Sequence, residues 1–486
     1  MRAFLFFLTY LCKMQPLAKA LLQSLPYKPT AQQSQLADML ATYIDNSGES
    51  ETFILKGYAG TGKTTMIAAL SRILPQFKFK VVLLAPTGRA AKVLAGYAQQ
   101  PALTVHKKIY KPTATQGGGI RFSLSPNMHA NTVFIVDEAS MIGHKGVDNG
   151  FFESNSLIED LAEYVFTGHN CRLIFSGDTA QLPPVGMDES PALNPNFLKQ
   201  LFGMRVSVFE LTEVVRQQKE SGILYNATVL RTTMHDKEPA IPRIELANFK
   251  DVIRVEGYEL QEHLESSYNK YGVEGTVLIT RSNKRAVAYN GRIRAAIMQQ
   301  FEEVCAGDYV MVVKNNYYWL DESSKAGFIA NGDILAIEKV RGIEEKYGFR
   351  FVDASVTMID YPGEPAMEVK LLLSTLYSDA PALAYTDSGM LYEALMQEYE
   401  HLPQKRQRMA ELKKNPYYNA LQVKFAYAVT CHKSQGGQWN HVYVEQSFMP
   451  KDITGIEFKR WLYTAMTRAT EKLYLINFSG EFFGDI

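Results

Sequence analysis

Gly57-Tyr58-Ala59-Gly60-Thr61-Gly62-Lys63-Thr64 is the stretch on which the reading of the fold turns. It matches Gly-x-x-x-x-Gly-Lys-Ser/Thr at every fixed position. Phe53–Lys56, a predicted strand, runs into it, and an apolar helix, Met66–Leu74, leaves it. The glycines let successive backbone N–H groups turn inward around phosphates, and the helix N-terminus adds positive potential. Lys63 is expected to neutralise β- and γ-phosphates, the Thr64 hydroxyl to ligate Mg²⁺, and Thr65 to complete the nucleotide-binding turn. ATP with Mg²⁺ is therefore the expected ligand.

A phosphate loop of this kind needs an acid to hold the metal at the end of a neighbouring strand. Thr132-Val133-Phe134-Ile135-Val136 runs directly into Asp137-Glu138. Asp137 is expected to bind Mg²⁺ through water, and Glu138 to orient and deprotonate the attacking water. Alone, such a pair after a strand is ordinary surface chemistry; beside the phosphate loop it points to hydrolysis. Gly177-Asp178-Thr179-Ala180-Gln181-Leu182-Pro183-Pro184-Val185 follows another strand, and Gln181 is placed to sense the γ-phosphate. Arg216 after Leu211–Val215, and Arg468 in Tyr463–Arg468, are candidates to stabilise transition-state charge as arginine fingers.

Outward from these motifs, residues 52–215 alternate short apolar strands with helical stretches, the pattern of a parallel sheet covered on both faces. The strands are predicted at Phe53–Lys56, Val81–Ala85, Thr132–Val136 and Arg172–Ser176. A second set follows at Thr276–Thr280, Phe425–Val429, His441–Glu445 and Lys472–Ile476. Residues 301–420 change texture. Gly307–Val313, Phe349–Asp353 and Met367–Leu373 read as strands of a small β-barrel, with an Asn-Gly turn at Asn331-Gly332. Tyr392–Lys414 reads as helical, and Lys111–Pro126 as a β-ribbon turned by Gly117-Gly118-Gly119. The expected fold class is α/β: two P-loop sheet domains, a β-ribbon insertion in the first and a barrel insertion in the second. In outline, residues 1–25 extend the N-terminus, 26–200 form the first domain (ribbon about 107–127), 201–300 with 421–486 the second, and 301–420 the barrel.

The 486 residues are 46% hydrophobic and 21% charged, values of a soluble protein able to bury large cores. Lys+Arg and Asp+Glu are equal at 51 each. That balance argues against a passive nucleic-acid coat but not against a motor with a locally basic groove. Cys12, Cys171, Cys305 and Cys431 show no metal-ligand or paired spacing, which fits a reducing cytoplasm. Arg2 and the apolar run Ala3–Leu11 resemble a short signal sequence with a small-residue site at Ala18-Lys19-Ala20. The run is too short to span a bilayer, so no membrane partner is expected. Residues 1–13 read as a frayed helix or a start-site artefact, with Met14 the alternative start and export the minor alternative.

Taken in order, the segments resemble superfamily 1 helicases, particularly the RecD/Dda-like 5′→3′ branch (superfamily 1B, compact form), from Pro29 to Ile476. Pro29-Thr30-Ala31-Gln32-Gln33 is similar to that family's adenine-reading Q motif, with Gln33 the implied contact. Ala85–Ala91 and Thr104-Val105-His106 look like its first DNA-contacting motifs. Val429–Gly436 resembles the motif joining nucleotide cleft and DNA groove. The resemblance implies two RecA-like domains with ATP between them, an SH3-like barrel at 301–420 and a strand-separating pin at 111–126. It implies nucleotide contacts at Gly436 and Gln438, where many relatives have a ribose-contacting glutamate. It implies DNA contacts at Pro86, Thr87, Arg89, Lys92, Thr104, His106, Asn283, Lys433 and Ser434. Tyr110, Tyr317, Tyr318 and Trp319 could stack on bases, but aromatics so placed more often pack in cores and barrel walls.

The implied partners are single-stranded DNA and single-strand/duplex junctions, with DNA-repair or single-strand-binding proteins as candidates and a monomer as the expected state. Two rivals stand beside a helicase: a translocase that remodels without unwinding, and a nucleotide-gated DNA-binding subunit of a repair complex.

Overall fold

The computed structural model describes residues 15–46, 51–114, 120–144, 156–215, 220–234, 236, 240–320, 324, 326–361, 363–446 and 453–484. The expectations for residues 1–13, for the three-glycine turn at 117–119 and for Arg216 lie outside the described residues. The chain forms two compact units. The first holds the chain up to Pro86, Ala90–Lys111 and Leu124–Leu224; the second holds Thr87–Arg89, Pro112–Ser123 and Tyr225 onward.

Along the chain come β1 (Glu51–Gly57), β2 (Lys80–Ala85) and β3 (Ala102–Thr104), then a ribbon of β4 (Tyr110–Ala114) and β5 (Ile120–Leu124). After them come β6 (Thr132–Val136), β7 (Arg172–Gly177) and β8 (Arg205–Leu211). The first unit's sheet has the order β3-β2-β6-β7-β1-β8, and every pairing in it is parallel. Successive strand residues point to opposite faces. Phe53, Leu55, Val133 and Ile135 therefore join one core, with helices Pro16–Gln23, Ala31–Asn46 and Lys63–Ile73. Ile54, Phe134, Val136 and Phe175 join the other, with helix Leu157–Phe166. Burial on both faces explains why these strands read as unbroken apolar runs.

Two expectations for this unit are corrected. The boundary expected at residue 200 falls later, because β8 pairs along its whole length with β1. Asp137 does not follow a strand adjacent to β1, since β7 lies between β6 and β1. In Ala18-Lys19-Ala20, Ala18 is buried, Lys19 exposed and Ala20 half-buried. The segment lies in helix Pro16–Gln23, whose Leu17, Ala18, Leu21 and Leu22 are buried in the first core.

In the second unit, β9 (Val252–Val255) and β10 (Thr276–Thr280) precede an insertion built from β11 (Tyr309–Val312), β12 (Ile334–Lys346), β13 (Phe349–Met358), β14 (Met367–Leu372) and β15 (Leu421–Phe425). These five strands close into a barrel, as expected. Then β16 (Ala428–Thr430), β17 (Trp439–Glu445) and β18 (Ala469–Ile476) complete a parallel sheet of order β16-β10-β17-β18-β9. The polar stretch expected as one helix is two, Tyr385–Glu398 and Lys405–Lys414.

The single strand expected at Phe425–Val429 is also divided. Phe425 pairs with Val310 in the barrel, whereas Val429 pairs with Ile279 in the sheet. Tyr427, fully buried at the break, donates its hydroxyl to Asp308 Oδ1 at 3.0 Å. Asp308 in turn accepts two bonds from Arg294, Nε to Oδ1 and Nη2 to Oδ2, both 2.8 Å. Helix Asn283–Ala296 is thereby fastened to both the entry and the exit of the barrel. Barrel residues Val310, Val312 and Val356 share one core with Leu278, Tyr443 and Tyr474 of the sheet. Among the described residues no helix is long and apolar enough to cross a membrane.

Candidate active site

β7 sets the site's geometry. Its Phe175 stands in register with Ile54 of β1 and Val136 of β6, so the chain leaving all three strands emerges side by side at their carboxyl ends. From β1 the phosphate loop turns into helix Lys63–Ile73. Gly62 sits at φ 84°, left-handed, and a Cβ there would stand 2.6 Å from Gln33 Nε2 and 2.7 Å from the Tyr27 hydroxyl. Only glycine meets both demands. At Gly57, a Cβ would press on the Lys63 stem, with Cγ 2.8 Å away. The Lys63 ammonium rests 3.4 Å from the Tyr58 carbonyl, over the loop it closes.

The Q-like segment braces this loop. Gln33 is fully buried. Its amide nitrogen donates to the Thr61 carbonyl at 3.1 Å and to the Tyr27 hydroxyl at 3.3 Å, and its oxygen accepts from the Thr30 N–H at 3.1 Å. The structure thus gives Gln33 a loop-positioning role next to the adenine contact that the resemblance implies. Gln32, which the sequence did not single out, accepts from the Thr212 and Glu213 N–H groups at 2.8 and 2.9 Å. Val215 N–H donates to the Gly60 carbonyl at 3.0 Å, so the segment after β8 is tied to the phosphate loop just before Arg216.

Thr64 Oγ1 donates to Asp137 Oδ2 at 3.3 Å, and Ser176 Oγ donates to Asp137 Oδ1 at 2.8 Å. A hydroxyl and a carboxylate held together at the mouth of a phosphate loop form the oxygen donor set that suits Mg²⁺. Thr64 and Asp137 would hold the ion. Ser176 was missed; its role follows from β6 and β7 being neighbours, which no local motif announces. Glu138 takes the left-handed conformation, φ 53°, uncommon for a residue with a side chain, and caps the turn Ala139–Met141. Such strain costs of order 1–3 kcal/mol and gathers at working sites. Gln181 and Ser140 line one small hollow with Asp178 and Ser190. Gln181 Oε1 and Ser140 Oγ are both buried there without a hydrogen-bond partner among the described residues. A buried amide oxygen left open can accept a hydrogen bond from a water molecule, whereas contact with a γ-phosphate would have to come from the Gln181 amide nitrogen.

In the first unit, Thr104 is the N-cap of helix Val105–Ile109, its side chain accepting from Lys107 N–H. The Thr104 side chain is itself buried. Burial holds the His106 imidazole down at about 4, so it is neutral at neutral pH. Lys92 is exposed on helix Gly88–Ala98, and Pro86 is half-buried. Tyr110 donates its hydroxyl to Asp160 Oδ2 at 2.5 Å.

In the second unit, Arg89 lies over the Trp439 ring, 4.0 Å from its centroid, and burial pushes its guanidinium pKa down. Thr87 is half-buried, as is Asn283, which opens helix Asn283–Ala296. Lys433 donates to Asn331 Oδ1, and burial with nearby Lys424 pushes its ammonium down to about 8. Ser434 is fully buried, and its hydroxyl donates to the Cys431 carbonyl at 2.8 Å. Gly436 is left-handed at φ 72°, and Gln438 is exposed. Arg468 is buried, with Nε 3.1 Å from the Thr464 carbonyl and Nη1 3.3 Å from that of Gly437. In this structure it therefore braces its own unit. Trp319 Nε1 donates to the Asn419 carbonyl, and Tyr318 Oη to that of Lys414; Tyr317 packs against Phe122 and Phe328. Tyr317 and Trp319 are half-buried and Tyr318 is exposed.

Fold and site together define a P-loop nucleotide hydrolase of RecA-like architecture. A family model described as an AAA domain matches residues 30–245, and one described as a UvrD-like helicase C-terminal domain matches residues 425–476. An uncharacterised protein of Acanthamoeba polyphaga mimivirus is 24% identical over 513 residues, covering 91% of this chain and 98% of that protein. The ATP-dependent RecD2 DNA helicase of Deinococcus radiodurans is 30% identical over 214 residues, 44% of this chain and 26% of that protein. Among solved structures, one of two coordinating Pif1 helicases unwinding forked duplex DNA covers 94% of each chain at 14% identity, with a TM-score of 0.47. In the segments they cover, these matches make the chain similar to superfamily 1B, the Pif1/RecD-like helicases.

Proposed function

We propose that this chain hydrolyses ATP to move 5′→3′ along single-stranded DNA and to separate duplex ahead of it. The observation that carries the reading is the convergence of Lys63, Thr64, Asp137, Glu138 and Gln181 at the carboxyl ends of one sheet. Lys63 and the loop N–H groups hold the β- and γ-phosphates and neutralise charge as the terminal bond breaks. Glu138 orients the attacking water and takes its proton, while Gln181 registers whether the γ-phosphate is present. Mg²⁺, when bound at Thr64 and Asp137, supplies further charge neutralisation. Arg216 and Arg468 are the proposed transition-state cations. The ribbon of β4 and β5 is the proposed strand-separating element, and the free thiols Cys171, Cys305 and Cys431 are consistent with work in the cytoplasm.

The test is ATP hydrolysis with and without single-stranded DNA, with Lys63→Ala as control. Stimulation that vanishes in the variant supports the motor; hydrolysis indifferent to nucleic acid defeats it. Duplexes with a 5′ or a 3′ tail then decide polarity, and a failure to separate either, with DNA-stimulated hydrolysis intact, favours the translocase reading.

A further inference from the structure

We propose that Tyr110 is a positioning residue that fixes the root of the β4–β5 ribbon to the first unit through Asp160, an inference that rests on the ribbon's strand-separating role. A two-stranded ribbon is marginally stable by itself, so it needs outside contacts: Phe122 packs against Tyr317 and Phe328, and the root is held separately. At that root Tyr110 donates to Asp160 Oδ2 at 2.5 Å, the separation of an O–H···carboxylate bond. Asp160 lies on helix Leu157–Phe166, is 6% exposed, and this is its side chain's one hydrogen bond among the described residues. The returning limb is held beside it, Ser125 N–H donating to the Ile109 carbonyl at 2.7 Å.

Beneath both limbs, Val105, Ile109, Ile158 and Leu161 are fully buried in one core, with Tyr110 and Leu124 packed against it. The core fixes the height of the root, but apolar contact is non-directional. The phenol–carboxyl bond is the directional element, and it joins the ribbon to a helix of the nucleotide-binding unit. A load on the ribbon from a resisting duplex is thus shared at the root with helix Leu157–Phe166, beside the packing of Phe122.

The experiment compares duplex separation per ATP hydrolysed, alongside DNA-stimulated hydrolysis, in the full chain and four variants. These are Tyr110→Phe, Asp160→Leu, Asp160→Asn, and a chain in which residues 112–123 are replaced by a short turn. Tyr110→Phe and Asp160→Leu are expected to lower separation per ATP at least about fivefold, the equilibrium factor of one ordinary hydrogen bond, with hydrolysis within about twofold of wild type. Asp160→Asn keeps an acceptor oxygen and is expected to retain wild-type coupling. Combining Tyr110→Phe with Asp160→Leu should be no worse than either alone. If the shortened chain loses separation but Tyr110→Phe keeps it, the ribbon's role stands and the anchoring is overturned. If Tyr110→Phe loses hydrolysis in parallel, or Asp160→Asn fails like Asp160→Leu, the positioning role is overturned as well. If the shortened chain still separates strands, the ribbon reading fails and takes this inference with it.

Discussion

Ser176 donates its hydroxyl to Oδ1 of Asp137 at 2.8 Å, so that Oδ2 is the oxygen turned to Thr64. An outer partner of this sort orients a metal-holding carboxylate, and its loss typically costs 10–100-fold in metal affinity. Ser176→Ala should therefore raise the Mg²⁺ concentration needed for half-maximal hydrolysis by roughly tenfold or more. Titrating Mg²⁺ at saturating ATP measures it. An unchanged requirement would mean that Asp137 does not hold the ion.

Glu138 can be separated from binding. Gln at this position keeps the shape and loses the base, so Glu138→Gln should lower turnover by about 10²–10⁴-fold while ATP affinity stays near wild type. Steady-state hydrolysis beside equilibrium binding of a fluorescent ATP analogue tests both halves. A parallel loss of affinity would show that Glu138 shapes the loop rather than the chemistry.

The barrel's attachment should be fragile at one point. Arg294 and Asp308 form a buried two-pronged pair, their side chains 5% and 0% exposed. Removing one member leaves the other charge buried alone, so Arg294→Ala should destabilise the second unit by about 3–5 kcal/mol. Chemical denaturation followed by tryptophan fluorescence would report it, since Trp319 and Trp439 both lie in that unit. A change under about 1 kcal/mol would show that the junction tolerates the loss.

Asp333 gives a pH dependence with a definite sign. Burial, reinforced by nearby Asp360, pushes its carboxyl from 3.8 up to about 8. Between those values the unfolded chain has released the proton that the folded chain still holds, so this group's contribution to stability falls as pH rises from about 4 to 8. Asp333→Asn keeps an acceptor for the Ala330 N–H, which now donates to Oδ2 at 2.7 Å. The variant should melt above wild type at pH 8, by at least about 2 °C, and the gap should close toward pH 4. Melting curves across that range decide it, and a gap that widens on acidification would contradict the assignment.

What could be read in advance depended on how local the signal was. The phosphate loop and Asp137-Glu138 are legible because their chemistry needs fixed residues at fixed spacing. Ser176 is not, because its meaning comes from β7 lying between β6 and β1, a fact of strand order. β8 was placed with the second domain because, as an edge strand, it is largely exposed or half-buried and lacks the apolar run of its neighbours. The division between Phe425 and Val429 was hidden for the opposite reason: barrel and sheet bury both sides of the break. Thr104 and Ser434 lie on segments whose resemblance implies DNA contacts, and only the folded backbone reveals that one caps a helix and the other closes a turn.

The pairing of Val310 with Phe425 sets the two ends of the barrel side by side. For the host sheet, everything from Tyr309 to Phe425 is then equivalent to one tight connection between β10 and β16. Because loop closure grows only with the logarithm of length, such an insertion can lengthen, shrink or be exchanged at small entropic penalty to the sheet that carries it. Chain closure thus leaves the far strands of the barrel room to vary, while Val310, Val312 and Val356 are held by the core they share with the sheet.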